Sequence, residues 1–338
     1  MKISYKAINL PFKYPFTISK GTKTHQPSLL VAIDFFGTKG YGEAPAITYY
    51  NISVEKMIAD LEAKKNSIEK FSFTQPERFW HFLHHLIPDN PFLVCALDIA
   101  GWDLYGKLQK KSLHTLWNAD TSQSPFTDYT IGIDSIEKMI GKMKEKPWPI
   151  YKIKLGTDRD IEIITELRKH TSSVFRIDAN AAWTKDEALE KINIFRNLNV
   201  EFIEQPLAKD DFDGMKFLYE HSPLPLIADE SCVFEKDVEK CYQHFHGINI
   251  KLTKCSGITP ALRMIEHARK SGMKLMIGSM NESTVGTAAL AQMMPLVDYA
   301  DADGPLLLAA DVATGISYDY GKIIYLNAAG TGVSINEW

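Results

Sequence analysis

Cysteine is scarce in this chain: four residues among 338, namely Cys95, Cys232, Cys241 and Cys255. They form no CxxC pair and have no histidine-rich spacing. Neither a disulfide framework nor a thiolate metal site is indicated, and they read as buried reduced thiols of a cytoplasmic protein. An excess of positive charge is also missing. With 38 Lys+Arg against 42 Asp+Glu, the formal net charge is −4. No basic field exists to attract nucleic acid. Long hydrophobic runs are absent too. The opening MKISYKAINLPFKYPF has no uninterrupted apolar segment of signal-peptide type, and stretches such as PLLLAADVA are far too short to span a membrane. No low-complexity segment, linker or coiled-coil heptad stands out. What is there is ordinary globular composition, 45% hydrophobic and 24% charged, over a length that supports a large core and two domains.

Strand chemistry comes first. ISYKAINL, SLLVAIDFF and KGYGEAP predict antiparallel strands within residues 1–50, with FGTKG as the turn between the last two. Residues 53–118 switch to helical periodicity. Ser53 is the expected N-cap of VEKMIADLEAKK, with Glu55 in the first turn where the helix dipole favours an acid. The reciprocal half of a capping box is absent, because the third position after Ser53 is Lys56. Pro91 starts a second predicted helix, FLVCALDIAGWDLYGKL, apolar on most of its surface and so expected to be buried. Strands followed by helices predict an α+β domain over 1–120.

From about residue 128 the pattern changes. Eight short apolar runs recur between helical stretches: YTIGI, YKIKLG, VFRIDAN, VEFIEQP, PLIADES, INIKLTK, MKLMIGS and VDYADAD. From Lys154 through Asp178, Glu204 and Asp229 to Lys251, the steps are 24, 26, 25 and 22 residues. Strand and helix alternating at that period predict parallel βα units, and seven or eight of them over 121–320 fit a TIM-type barrel of the α/β class. The tail, about 321–338, is expected to leave the barrel and join the N-terminal domain.

In YKIKLG, Tyr151, Ile153 and Leu155 alternate, which places Lys152 and Lys154 together on the other face. The next three strands each end in an acid: Asp178, Glu204 and Asp229. Chemistry in a TIM barrel sits at those strand ends. Three converging carboxylates repel unless a cation lies between them, and hard oxygen ligands suit Mg²⁺, one per subunit. Capping of the following helices is the plainer alternative for any one acid. The strand after the acids carries Lys251 and Lys254, so lysines flank the acids on both sides. Lysines near other cations are expected to have lowered pKa values, which suits Lys154 to act as a base with Lys152 tuning it. The alternative is that these lysines only form ion pairs with the acids.

These residues resemble the enolase superfamily, whose sites combine a Lys or His base with Mg²⁺. The KxK at Lys152–Lys154, DAN at Asp178–Asn180, EQP at Glu204–Pro206, ADES at Ala228–Ser231 and KLTK at Lys251–Lys254 are similar to motifs of its muconate-lactonizing subgroup. GYGEAP and ALDIAGWDLYGK resemble that subgroup's capping domain. The resemblance implies that Asp178, Glu204 and Asp229 bind Mg²⁺, that Lys154 and Lys251 face the substrate α-carbon from opposite sides, and that Lys152 tunes Lys154. Lys254 is placed just beyond the strand, on the surface.

The last strand run, VDYADADGP, puts Asp301 and Asp303 on one face. Acids there suit a substrate ammonium group. A DxD at this place resembles the subgroup's dipeptide epimerases, which implies a 1,1-proton transfer at the α-carbon of the C-terminal residue of a dipeptide. An exposed acidic loop is the alternative. The segment PFTISKGTKTH resembles the family's mobile capping loop. Where Ala-Glu epimerases carry an arginine for the substrate glutamate, the aligned residue is Gly21, with Lys20 adjacent. A non-acidic dipeptide, such as Ala-Ala or Ala-hydrophobic, is therefore expected, with Phe16, Ile18 and Met280 lining its pocket. Competing readings are an o-succinylbenzoate synthase or muconate-type cycloisomerase, a non-catalytic metal- or ligand-binding barrel, and a Schiff-base aldolase. A homo-oligomer is expected.

Overall fold

Alternating apolar residues at the N-terminus build three antiparallel strands in the order β1 (Lys2–Ile18), β2 (Gly21–Phe35), β3 (Thr38–Pro45). A computed structural model describes the whole chain, residues 1–338. The first two strands run further than their apolar cores. After a register irregularity between Pro11 and Phe16, pairing resumes as Phe16 with Lys23, Thr17 with Thr22 and Ile18 with Gly21. The segment that reads as a loop in the sequence is thus the paired tip of a hairpin.

Helix α1 (Val54–Glu69) starts where the sequence places it: the Ser53 hydroxyl accepts from Lys56 N at 3.1 Å. A further helix, α2 (Pro76–Leu86), follows, and α3 (Pro91–Gln109) is buried almost all round. The glycines of GYGEAP explain how α3 lies so close to β3. A Cβ on Gly40 would stand 2.1 Å from Ala100 O, and one on Gly42 would stand 1.9 Å from Ala96 O. Only glycine permits that approach.

Each of the eight predicted runs forms a parallel strand. They are β4 (Tyr129–Ile131), β5 (Ile150–Lys154), β6 (Val174–Asp178), β7 (Val200–Glu204), β8 (Leu226–Ala228), β9 (Gly247–Ile250), β10 (Lys274–Gly278) and β11 (Tyr299–Asp301). Neighbours in sequence are neighbours in the sheet, and a parallel bridge between Thr127 and Ala300 joins its two ends. The fold is a TIM-type barrel of eight parallel strands, capped by the N-terminal strands and helices.

Inside the barrel, Phe202, Ile227 and Met276 pack with Tyr299 as an apolar plug. The Arg176 guanidinium lies over the rings of Phe202 and Tyr299, 5.4 and 5.3 Å from their centroids. It donates to Asp128 Oδ2 and Ala300 O at 2.9 Å each, and to Glu201 at 2.7 Å. Arg176 and Asp178 alternate on β6, so this arginine forms the floor beneath the acidic strand ends.

Cap and barrel share core. The main cluster of 59 buried residues includes Leu10, Phe12, Cys95, Ile99 and Trp102 from the N-terminal part, while a cluster of 22 belongs to the cap. Buried acids stitch the seam. Asp98 on α3 accepts from Thr259 N at 2.9 Å and Thr259 Oγ1 at 2.8 Å, at the start of helix Ile258–Lys270. Glu43 on β3 accepts from Ser283 N, Ser283 Oγ and Gly286 N, at the start of helix Thr284–Ala291. The tail returns to the cap, where Thr331 N donates to Asp103 Oδ1 at 2.8 Å and Trp338 Nε1 to Ser4 Oγ at 3.1 Å. All four cysteines are free and buried. No helix is long and apolar enough to cross a membrane.

Candidate active site

Strand register brings the chemistry to one rim. Lys154, Asp178 and Glu204 are the last residues of β5, β6 and β7, and they pair in register across all three strands. Asp229 and Lys251 each stand one residue beyond β8 and β9. Gln205, with φ 38°, turns its amide across this rim: its Oε1 accepts from Asp229 N at 3.0 Å and Ser231 N at 3.1 Å. The EQP and ADES motifs are thereby tied together.

Asp178, Glu204 and Asp229 are buried, and each offers an oxygen within 4.8 Å of the others. Glu204 Oε1 accepts from Asn249 Nδ2 at 2.7 Å. Its Oε2 has no aligned hydrogen-bond donor, although Lys152 Nζ stands 2.7 Å away. Three hard carboxylate donors that converge within reach of one another fit a small divalent cation. Asp178, Glu204 and Asp229 would hold Mg²⁺.

The lysines divide the acids among themselves. Lys154 lies 2.6 Å from Asp178 and Lys251 lies 2.7 Å from Asp229. Lys152, fully buried, reaches Glu204 at 2.7 Å, Asp301 at 2.8 Å and Asp178 at 3.3 Å. Lys254 is not on the surface as the sequence suggested. The short helix Leu252–Cys255 turns it inward, and Nζ donates to Asp229 Oδ1 and Asp229 O at 2.6 Å each and to Cys232 O at 2.9 Å. Those partners account for its three protons and fix Asp229.

The electrostatics correct a second expectation. Burial pulls the Lys152 and Lys251 pKa values down, but the surrounding carboxylates outweigh it and hold both ammonium groups above their usual range. The acids respond unevenly. Burial and then Asp178 push Glu204 up to about 7. Burial acts against Asp229 as well, yet Lys251 and Lys254 hold it below the usual carboxylate range. Any positive charge added among the acids weakens their hold on the lysines.

Asp301 and Asp303 both line the cavity above the acids. They differ in state. Asp301 works against burial through Lys152 and Lys154, which hold it at about 2. Asp303 is pushed up to about 8 by burial and by Asp301, and its Oδ2 accepts from Thr130 N at 2.6 Å. Phe16, Ile18 and Lys20 from the hairpin line the same cavity, as does Met280 after β10. Gly21 does not. It begins the returning strand with φ 137°, and an added Cβ there would meet nothing within 4 Å.

Sequence reasoning passed over Asn249, Glu230, Tyr50 and Lys23. Asn249 was within reach, since it sits two residues before Lys251 on an alternating strand. Glu230, Tyr50 and Lys23 line the cavity because of how cap and barrel meet.

An eight-stranded parallel barrel whose rim combines a metal-binding acid triad with opposed lysines defines a class of enzymes that move a proton at carbon. The chain belongs to the mandelate racemase/muconate lactonizing enzyme family of the enolase superfamily. That family's N-terminal domain matches residues 2–117, and the enolase C-terminal domain-like family matches residues 135–338. The L-Ala-D/L-amino acid epimerase of Flavobacterium johnsoniae is 50% identical over 335 residues, 99% of this chain and 100% of that protein. The structure resembles the dipeptide epimerase of Cytophaga hutchinsonii complexed with Mg and D-Ala-L-Val, with TM-score 0.93 and 27% identity over 99% of this chain and 95% of that one. It also resembles a substrate-liganded L-Ala-D/L-Glu epimerase from Bacillus subtilis, with TM-score 0.93 and 29% identity over 98% of this chain and 99% of that one.

Proposed function

We propose that this chain is a Mg²⁺-dependent dipeptide epimerase that inverts the α-carbon of the C-terminal residue. The observation that carries the reading is the placement of the two lysines. Lys154 ends β5 and Lys251 follows β9, half-way round an eight-stranded barrel, and each touches a different acid of the triad. A substrate held between them presents one face of its α-carbon to each.

Bound Mg²⁺ supplies positive charge that stabilises the negative charge developing on the substrate carboxylate as the α-proton leaves. One lysine, as the free amine, accepts that proton. The other, as ammonium, returns a proton to the opposite face. No electrons leave the substrate, so no redox cofactor is needed. Asp301 and Asp303 take the ammonium group of the dipeptide. A lyase or cycloisomerase acting on dianions would use the same lysines but would meet the Asp301 carboxylate as repulsion and would bring no cation to draw the proton off Asp303. Phe16, Ile18 and Met280 offer an apolar wall to the C-terminal side chain, in keeping with a neutral dipeptide such as Ala-Ala or Ala-hydrophobic.

The test is α-proton exchange. Purified protein with MgCl₂ and a dipeptide library in D₂O is expected to place deuterium at the α-position of the C-terminal residue, with the epimer accumulating. No incorporation across L-L, L-D, D-L and D-D dipeptides would overturn the reading.

A further inference from the structure

Glu230 follows Asp229 and is 6% exposed, yet it lines the cavity. Lys20 reaches it from the tip of the hairpin, with Nζ 3.1 Å from Oε1. The same ammonium lies 4.1 Å from the centroid of the Tyr49 ring. Glu230 Oε2 is buried without a hydrogen-bond partner. The cation that the cap contributes is therefore already paired with an acid of the barrel. A second hairpin lysine, Lys23, also lines the cavity. Its one polar partner is an amide, Gln26 Oε1 at 3.3 Å, and burial lowers its pKa, which disfavours the charged form.

A dipeptide with an acidic C-terminal side chain would have to share Lys20 with Glu230. It would also bring a second negative charge beside the unserved Oε2. Like charges in a desolvated site are a selective penalty, because specificity is a difference between two affinities. We propose that Glu230 determines specificity: by neutralising Lys20 it makes the cavity select uncharged C-terminal side chains over acidic ones. This rests on the epimerase reading and names the residue that sets its substrate class.

Two variants move the charge in opposite directions. Glu230→Gln releases Lys20, so kcat/KM for L-Ala-L-Glu relative to L-Ala-L-Val is expected to rise about tenfold or more. Lys20→Gln leaves Glu230 uncompensated, so L-Ala-L-Lys is expected to gain over L-Ala-L-Val by a similar factor while L-Ala-L-Glu falls further. Both rates in each ratio come from one variant, so weakened metal binding next to Asp229 cancels. If Glu230→Gln does not fold, Lys20→Gln, at an exposed turn, decides alone. Ratios that stay within twofold of wild type, or a wild type that already prefers L-Ala-L-Glu, would overturn the proposal. Wild-type exchange on L-Ala-L-Val reports on the epimerase reading separately. A wild type that exchanges no dipeptide refutes both, whereas one that exchanges with unmoved ratios refutes only the role of Glu230.

Discussion

A lysine 2.6 or 2.7 Å from a carboxylate is by itself half of an ion pair, and most such lysines are nothing more. Lys154 and Lys251 differ because the single acceptor each has is an acid of the triad, which a cation would claim. Lys254 is the contrast within the same site, since its protons are spent on Asp229 and a backbone carbonyl. Replacing Lys154 or Lys251 by Met is expected to cut epimerisation by about a thousandfold or more, the scale of a lost acid–base group. Each variant is expected to keep α-proton exchange with only one epimer, and the surviving epimer should differ between the two. Mass spectrometry of L-L and L-D dipeptides in D₂O reads this directly, and an epimerisation rate near wild type in either variant would rule out the two-base scheme. The sequence exposes these two lysines because each lies on or beside a strand with clean alternation. It does not expose the inward turn of Lys254, which depends on the four-residue helix Leu252–Cys255.

Eight strands were legible at the scale of elements because a parallel strand buried on both faces leaves a dense apolar run. The acids and lysines interrupt those runs at their C-terminal ends, which also marks the rim. The hairpin tip at Phe16–Lys23 was not legible, because the returning residues Gly21–Lys23 carry no apolar alternation and register across a turn has no signal in one strand alone. The caps that Asp98 and Glu43 provide are equally hidden: each serves a helix more than a hundred residues away in sequence. Asp98 makes a prediction. Burial pushes its carboxyl up to about 7 from an ordinary 3.8, even though Thr259 donates to it. Between those values the native state keeps a proton that the unfolded chain has released. Stability from this group therefore falls as pH rises through that window and levels off above about 7. Asp98→Asn cannot titrate. The difference in Tm between wild type and Asp98→Asn is expected to shift against the wild type from about pH 4 to about pH 7. A difference independent of pH would show that Asp98 does not carry that proton.

At the scale of the molecule, the question is whether cap and barrel are two folding units or one. Their sequences read as separate, with an α+β pattern followed by βα repeats. The structure argues for coupling. Cap residues Leu10, Phe12, Ile99 and Trp102 belong to the barrel's main core cluster. The Trp80 indole N–H donates to Ser256 O at 3.0 Å, and the Trp102 indole N–H donates to Thr259 Oγ1 at 2.9 Å. Separating the parts would take from Asp98 and Glu43 their hydrogen-bond donors and remove the Asp98 cap from helix Ile258–Lys270. Opening the seam would also expose the shared apolar side chains to water, at about 1.5–3 kcal/mol for each fully buried large one, a sizeable share of a typical net stability of about 5–15 kcal/mol. The cap also brings Lys20 and the hairpin wall to the cavity, so a detached cap would leave the substrate pocket open on one side. One cooperative transition is therefore expected in scanning calorimetry, with calorimetric and van't Hoff enthalpies in agreement. Two resolved transitions, or a calorimetric enthalpy well above the van't Hoff value, would mean that the seam between cap and barrel opens before either core is lost.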